Sequence, residues 1–458
     1  MSFPRYPAYK PSGVEWLGEV PEHWEFKKLK HCILRLGSGG TPESSNPEFW
    51  ADDDSEDSIP WVAIGDMSAV SRVTSTAKSL TPFGLSSKNL EIFPSGSLLY
   101  SIYASLGKVA ILGMDAAFNQ AILAILPNTQ CVSQPFLRCW LESLERHLEY
   151  YASSNTQANL NAAKVLSYPV SVPSLPEQRA IATFLDHETA KIDALIAEQQ
   201  SLIELLQEKR QAVISHAVTK GLNPEAPMKD SGVEWLGEVP EHWGLITLGR
   251  LCISKCDGPF GSGLKSEHYV EEGVLVVRLQ NIKFYGYDDT VSAYIDSDYY
   301  ETSLGDHDVI PGDLLIAGLG DENNLVGRAC VAPSHLGPAM VKADCFRFRL
   351  NRERISPAFA SFSLNASSRF HGGILSSGST RSRIPLSMMT SREVALPPIE
   401  EQLKIEMHIQ NQLGRINALQ YESVSAVQLL QERRSALISA AVTGQIDVRG
   451  LVPEASTA

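Results

Sequence analysis

No run in these 458 residues approaches the roughly 20 consecutive apolar positions that cross a bilayer, so a membrane-spanning helix is not expected. The opening, MSFPRYPAYKPSGVEW, has no basic stretch followed by an apolar one, and no export signal is read there. Cysteine is sparse: the seven residues Cys32, Cys131, Cys139, Cys252, Cys256, Cys330 and Cys345 are odd in number and scattered, which excludes a disulfide framework and points to reduced thiols in cytoplasm. Cys252 and Cys256 have no partner pair at zinc spacing, and HExxH, a Walker loop and a nucleophile elbow are all missing. AGLGDENNLVG (317–327) holds a G-x-G without the spacing or the following acid of a nucleotide fingerprint. The Asn/Asp-Pro-Pro-aromatic tetrapeptide of adenine methylases is absent, the single Pro-Pro lying in LPPIEEQ. Basic residues are the minority, 39 Lys and Arg against 53 Asp and Glu, a formal charge of −14. That balance argues against a nucleic-acid partner held by phosphate neutralisation alone. Part of the excess sits in the run 52–57, read as a solvated loop.

What is present is repetition. SGVEWLGEVPEHW stands at 12–24 and again, letter for letter, at 231–243, an identity too long for chance. LLQEKRQAVISHAVT (205–219) returns as LLQERRSALISAAVT (429–443) at an offset of 224, and the same offset carries Glu177-Gln178 onto Glu401-Gln402 without a gap. Between these matches PSGSLLYSIYASLGKVAI (94–111) parallels IPGDLLIAGLGDENNLVGRACV (310–331), with Gly107-Lys108 on Gly327-Arg328. Each half is therefore a short motif, a divergent body and a long helix. GLVPEA (450–455) echoes GLNPEA (221–226), the segment leading into the second motif; this circular pattern predicts two equivalent halves with the chain ends close in space.

The stretch Glu177 to about Val218 holds no Gly or Pro, and Ile181, Leu185, Ile192, Leu195, Leu202, Leu206 and Val213 fall at alternating threes and fours, a coiled-coil seam. Ile405, Ile409, Ile416, Leu419, Leu430 and Leu437 repeat it, with interruptions at Gln199, Ser423, Lys209 and Arg433. About forty helical residues make a rod near 60 Å long, a spacer whose exposed faces suit docking. His23 and His242 lie in PEHW, where Trp24 and Trp243 are expected to anchor the motif to the rod rather than to serve chemistry.

The bodies show short β-type runs separated by Gly, Pro, Ser and Asp turns, with helical stretches such as 135–154 late in each, which predicts mixed domains with largely antiparallel sheets. Their Gly-rich loops, LGSGGTPESS (36–45) and CDGPFGSGLKS (256–266), allow close backbone approach to a groove or phosphate.

Two half-length repeats, each with a GEVPEHW opening, a variable body closing in VPSLPEQ or LPPIEEQ, and a helix bearing LLQEKRQAVISHAVT, resemble the specificity subunit of type I restriction-modification systems over nearly the whole chain. The starts GSGGTPESSNPEFW with IPWVAIGD, and CDGPFGSGLKSEHY, resemble two different recognition-domain types of such subunits. The resemblance implies an α+β fold of two pseudo-symmetric halves, each a target-recognition domain followed by a long helix, the helices pairing as an antiparallel coiled coil. The expected boundaries are motif 1–30, recognition domain 31–172, helix 173–220, linker and second motif 221–249, recognition domain 250–397, helix 398–446 and tail 447–458.

Implied partners are double-stranded DNA, two adenine-methylating modification subunits and restriction subunits, with no cofactor, no metal and no catalysis in this chain. Candidate DNA contacts are Ser38, Gly39, Gly40, Thr41, Lys108, Asn119, Gln120, Gln157 and Asn159 in the first half. In the second half they are Gly261, Ser262, Lys265, Arg278, Asn281, Arg328, Arg381 and Arg383. Base edges are read without a large positive charge if the partners supply the phosphate contacts. A coiled-coil interaction scaffold without DNA remains the alternative at this point.

Overall fold

The computed structural model describes residues 3–451 apart from 52–54, 56, 69, 104, 151–159, 322 and 376–381. Most of the acidic run 52–57, and Gln157, Asn159 and Arg381, thus lie outside the described residues.

Two long helices run Leu175–Lys220 and Ile399–Val442. Each begins at a proline, Pro176 in the first turn and Pro398 just before it, where a missing N–H costs nothing. Each ends near a left-handed glycine, Gly221 at φ +74° and Gly444 at φ +75°, the usual stop once side chains cannot follow.

The chain condenses into two compact units, Met1–Gln199 with Ser425–Ala458, and Gln200–Val424. The units do not coincide with the repeats, because each combines the start of one long helix with the end of the other. In the first unit Ile181 and Leu185 share a core with Ile438, Ala441 and Val442, while Asp193 meets Arg434 at 2.8 Å. In the second, Ile214 and Val218 share a core with Ile405 and Ile409, while Arg210 hydrogen-bonds Asn417. Both segments pair antiparallel, as the family resemblance implied. Within the first unit Asp447 N–H donates to Pro4 O at 2.8 Å, so the described residues nearest the two ends come together.

The seam itself needs correction. Ile181, Leu185, Ile192, Leu206, Ile405, Ile409 and Ile416 are buried, but Leu195 is 46% and Leu419 48% exposed. These are the same position in the two repeats, turned outward on both helices.

The first unit carries a five-stranded sheet in the order Ile33–Ser38, Ile122–Pro127, Leu98–Ser101, Val109–Leu112, Arg72–Val73, antiparallel except for its last pair. A second sheet contains Ala117–Phe118, Ile59–Val62, Ser79–Leu80 and Trp50–Ala51. Helix Gln134–Ser143 buries Phe136, Leu137, Trp140 and Leu141 beneath the first sheet's Leu98, Tyr100 and Leu123. The second unit has the matching four-stranded sheet Cys252–Cys256, Cys345–Leu350, Leu314–Ala317, Ala329–Val331, a five-stranded one, and helix Pro357–Leu375. The hairpins aligned from sequence superpose in register: Gly107 and Gly327 take φ +83° and +82°, and their N–H groups donate to Ser101 O and Ala317 O at 3.0 and 2.7 Å. Among the described residues no helix is long and apolar enough to cross a membrane.

Candidate functional site

The repeated motif folds identically twice. Ser12 and Ser231 donate to Gly18 O and Gly237 O at 2.8 and 3.0 Å, and Leu17 and Leu236 donate to Val14 O and Val233 O at 3.1 and 3.0 Å. Trp24 and Trp243 are buried, and each indole N–H donates at 3.1 Å to a first-turn glutamate of a long helix, Glu177 and Glu401 respectively. His23 Nε2 and His242 Nε2 lie 3.0 and 2.8 Å from the same carboxylates. The adjacent glutamines complete the joint. Gln178 accepts from Ser133 N–H at 2.7 Å and donates to Cys131 O and Pro173 O; Gln402 accepts from Ser356 N–H at 2.9 Å and donates to Arg354 O and Pro397 O. The motif is a clamp from body to helix, and its histidines are engaged in it. The gap-free match of Glu177-Gln178 with Glu401-Gln402 was the signal for this role, which the sequence did not otherwise disclose.

Away from the clamp the units differ. In the first, Gly39 N–H and Gly40 N–H donate to Ile122 O and Phe118 O at 3.3 and 2.9 Å, Trp61 Nε1 donates to Gly40 O at 3.0 Å, and Thr41 Oγ1 donates to Gln120 Oε1. Asn119 Oδ1 accepts from Ala121 N–H at 3.0 Å. Ser38, Gly39, Gly40, Thr41, Asn119 and Gln120 are therefore gathered at one end of the sheet, with Ser38 and Gln120 exposed. A Cβ at Gly39 would lie 2.1 Å from Asn119 O, so this glycine answers to its own chain rather than to a ligand's approach.

In the second unit Gly258 holds the matching place, where a Cβ would lie 2.0 Å from the Lys342 carbonyl carbon. Around it stand different groups. Asp257 Oδ1 accepts from Asp344 N–H at 3.0 Å, and burial pushes the Asp257 carboxyl up to about 6. Arg383 Nε donates to Asp344 Oδ1 at 2.7 Å, and its guanidinium lies 5.3 Å from the Phe260 ring centre. Asp257, Phe260 and Asp344 were not singled out from sequence, because only the fold brings 257–260, 342–344 and 383 together.

The remaining candidates scatter. Lys108 is paired with Glu145 at 2.8 Å. Arg328, its partner by alignment, is a correction: its guanidinium is buried and donates to the carbonyls of Ile282, Leu319, Asn324, Leu325 and Leu279, so it builds the fold and offers no free donor to DNA. Asn281 is likewise buried, donating to Asp288 O and Val291 O while accepting from Arg278 N–H. Arg278 keeps two buried guanidinium nitrogens, Nε and Nη2, without a partner among the described residues. Gly261 is exposed at φ +57°, the side chain of Ser262 is outside the described set, and Lys265 is exposed with Glu267 at 3.6 Å. Among the described residues no group of three or more His, Cys, Asp or Glu could hold a metal ion.

Residues 21–205 match the family model of the type I restriction modification DNA specificity domain. The MjaIX specificity subunit of Methanocaldococcus jannaschii, of a type I restriction enzyme, is 26% identical over 194 residues, 42% of this chain and 43% of that protein. The MjaVIII specificity subunit of the same organism is 22% identical over 450 residues, 94% of this chain and 95% of that protein. A chain from a structure of the complex assembly and conformational transition of a type I restriction-modification system shares the fold, with a TM-score of 0.69 at 16% identity over 92% of this chain and 98% of that one. With the same clamp built twice around two unlike bodies, the chain is similar in sequence to type I restriction-modification specificity subunits and shares the fold of a chain from such a system.

Proposed function

We propose that this chain reads a two-part DNA sequence for a type I restriction-modification complex, one half-site with each divergent body, while the paired helices set the spacer. The observation that carries this reading is one scaffold made twice with two different ends. Clamp, hairpin and helix agree hydrogen bond by hydrogen bond, yet Thr41 with Gln120 stands where the other unit presents Phe260, Asp344 and Arg383. An interaction scaffold would have no use for that difference, whereas an asymmetric site read by a symmetric complex requires it.

Two modification subunits dock on the helices, and the outward Leu195 and Leu419, with Leu205 and Leu429 exposed ten residues on in each repeat, are the matched apolar positions for them. Methyl transfer to adenine, and cleavage by restriction subunits, belong to those partners, and the complex works in the cytoplasm. The charge of −14 fits a subunit that reads bases while its partners hold the phosphates.

Gel-shift titration of the chain with and without its modification subunits tests this. Weak, unselective binding alone and tight, sequence-selective binding in the complex are expected; a complex without sequence preference refutes the reading. Removing about four residues, roughly one helical turn, from both 198–206 and 422–430 should shift the spacer in methylation maps and leave both half-sites intact.

A further inference from the structure

We infer that Arg383 is the residue with which the second body reads a guanine, and that Asp344 and Phe260 are positioning residues that aim it. This rests on the DNA-reading function proposed above.

The argument begins by elimination among the described arginine and lysine candidates of that unit. Arg328 is caged by five carbonyls, Arg278 has two of its three guanidinium nitrogens buried, and Lys265 stands beside Glu267 on its own short loop. Arg383 is 57% exposed, and it is held. Its Nε donates to Asp344 at 2.7 Å, and its guanidinium carbon lies 5.3 Å from the ring centre of Phe260, itself an exposed aromatic that the core does not claim. Among the described residues neither Nη atom has an acceptor. The side chain is thus gripped along one edge at Nε while more than half of it is exposed.

That grip is anchored on both sides. Arg383 lies on the two-residue strand Ser382–Arg383, paired with Leu319–Gly320, and Ile384 N–H donates to Gly318 O at 2.8 Å. Gly318 N–H in turn donates to Asp344 O at 2.7 Å. Asp344 sits at φ +64°, a left-handed backbone that few side chains adopt, fixed there by Asp257 through its N–H. Strain of this kind persists where the surroundings over-determine a position, and here it aims a carboxylate at an arginine.

A phosphate contact needs no such aiming, since a flexible lysine serves as a point charge. A guanine does. Its O6 and N7 present two acceptors in the major groove that match a guanidinium fork, and the fork must arrive in plane and in register. Holding the long side chain before DNA arrives removes ordering cost from the bound state. In the first unit Thr41, bonded to Gln120, stands at the place of Phe260, and the residue 224 positions before Arg383 is an asparagine, Asn159, outside the described residues, so the two half-sites should differ at the corresponding base.

The test uses the complex with its modification subunits, with methylated motifs mapped by long-read sequencing and affinities measured by titration at several salt concentrations. Arg383→Ala should lower cognate affinity on the order of 10- to 100-fold and relax one position of one half-site from guanine to any base. Arg383→Lys, which keeps the charge and so the salt slope, should lose the same discrimination. Asp344→Asn, tolerated at a left-handed position, and Phe260→Leu should weaken preference at that one position without moving the melting temperature. An unchanged motif in Arg383→Ala, in a complex whose wild type is selective, overturns the assignment. So does uniform weakening on all sequences with a salt slope reduced by about one, which marks a phosphate contact. A wild-type complex with no sequence preference instead refutes the function beneath it.

Discussion

The clamp makes a quantitative demand that its two copies should meet unequally. Glu177 and Glu401 accept the same indole N–H at the same 3.1 Å, yet their side chains are 5% and 28% exposed. The difference arises from the chain's beginning. Tyr6 stands edge-on to Trp24, ring centres 5.7 Å apart, and Arg449, paired with Asp447 at 2.7 Å, lies 4.8 Å over Tyr6. Burial and the nearby Glu177 carboxylate push the Tyr6 phenol well above its ordinary range. One repeat later the position holds Glu225, and the second clamp lacks this lid.

Glu177→Ala therefore leaves a fully buried Trp24 N–H without water or acceptor, which costs about 1–3 kcal/mol, with lost packing added. A total of roughly 2–3 kcal/mol is expected. Glu401→Ala admits water to Trp243 and should cost about 1 kcal/mol. Adding Trp24→Phe to Glu177→Ala removes the orphaned donor, so the pair should couple by about 1–2 kcal/mol. Urea titration gives the totals, and amide exchange of peptides around 20–28 and 175–185, against 239–247 and 399–409, assigns them to a unit. Equal losses for the two glutamates, or additive behaviour of Glu177→Ala with Trp24→Phe, would refute the reasoning from burial.

Three further outcomes are expected. Arg328→Met, which strips donors from five carbonyls, should cost roughly 3 kcal/mol or more and leave the methylated motif unchanged, the opposite of Arg383→Ala. Gly39→Ala forces a methyl group to 2.1 Å from Asn119 O, so the sheet end must shift; a loss of about 1–3 kcal/mol in urea titration, with reading degraded in the first half-site only, is the expected result. Cys32, whose thiol burial pushes up to about 12, should resist iodoacetamide at pH 8 in the folded chain and react on unfolding, as mass spectrometry of the labelled peptide would show.

Much of the architecture was legible because it was written twice. The helices and the matched hairpins follow from identity of spacing, their antiparallel pairing from the family resemblance, and Trp24 and Trp243 anchor the motif as their setting suggested. Periodicity failed at Leu195, Leu202 and Leu419 for a definable reason: it reports which positions are apolar, not what covers them. Lys108 and Arg328 show a second limit. Both follow a glycine of the same conformation, and local sequence treats them alike, but Arg328 is claimed by the carbonyls of Leu279, Ile282, Leu319, Asn324 and Leu325, whereas Lys108 pairs with Glu145. Glycine-rich loops misled in the same way, since Gly39 and Gly258 serve close contact within the chain.

The pattern of identity and divergence then has one physical explanation. The serine, histidine and tryptophan of each copy of the motif answer to fixed partners: the serine N–H to a motif glycine, the histidine and tryptophan to the first glutamate of a helix. Its outer surface answers to the far end of the other helix. Gly444 would place a Cβ 2.3 Å from Pro21, and Gly221 would place one 3.1 Å from Trp243. Thus the helix that begins in one repeat closes the clamp of the next, and a change in either copy of the motif must satisfy two elements far apart in sequence. The loops at the opposite ends carry no such double obligation. Thr41 with Gln120, or Phe260, Asp344 and Arg383, need only satisfy their own sheet and whatever they face. A chain built this way can change the loops at those ends while its clamps stay unchanged.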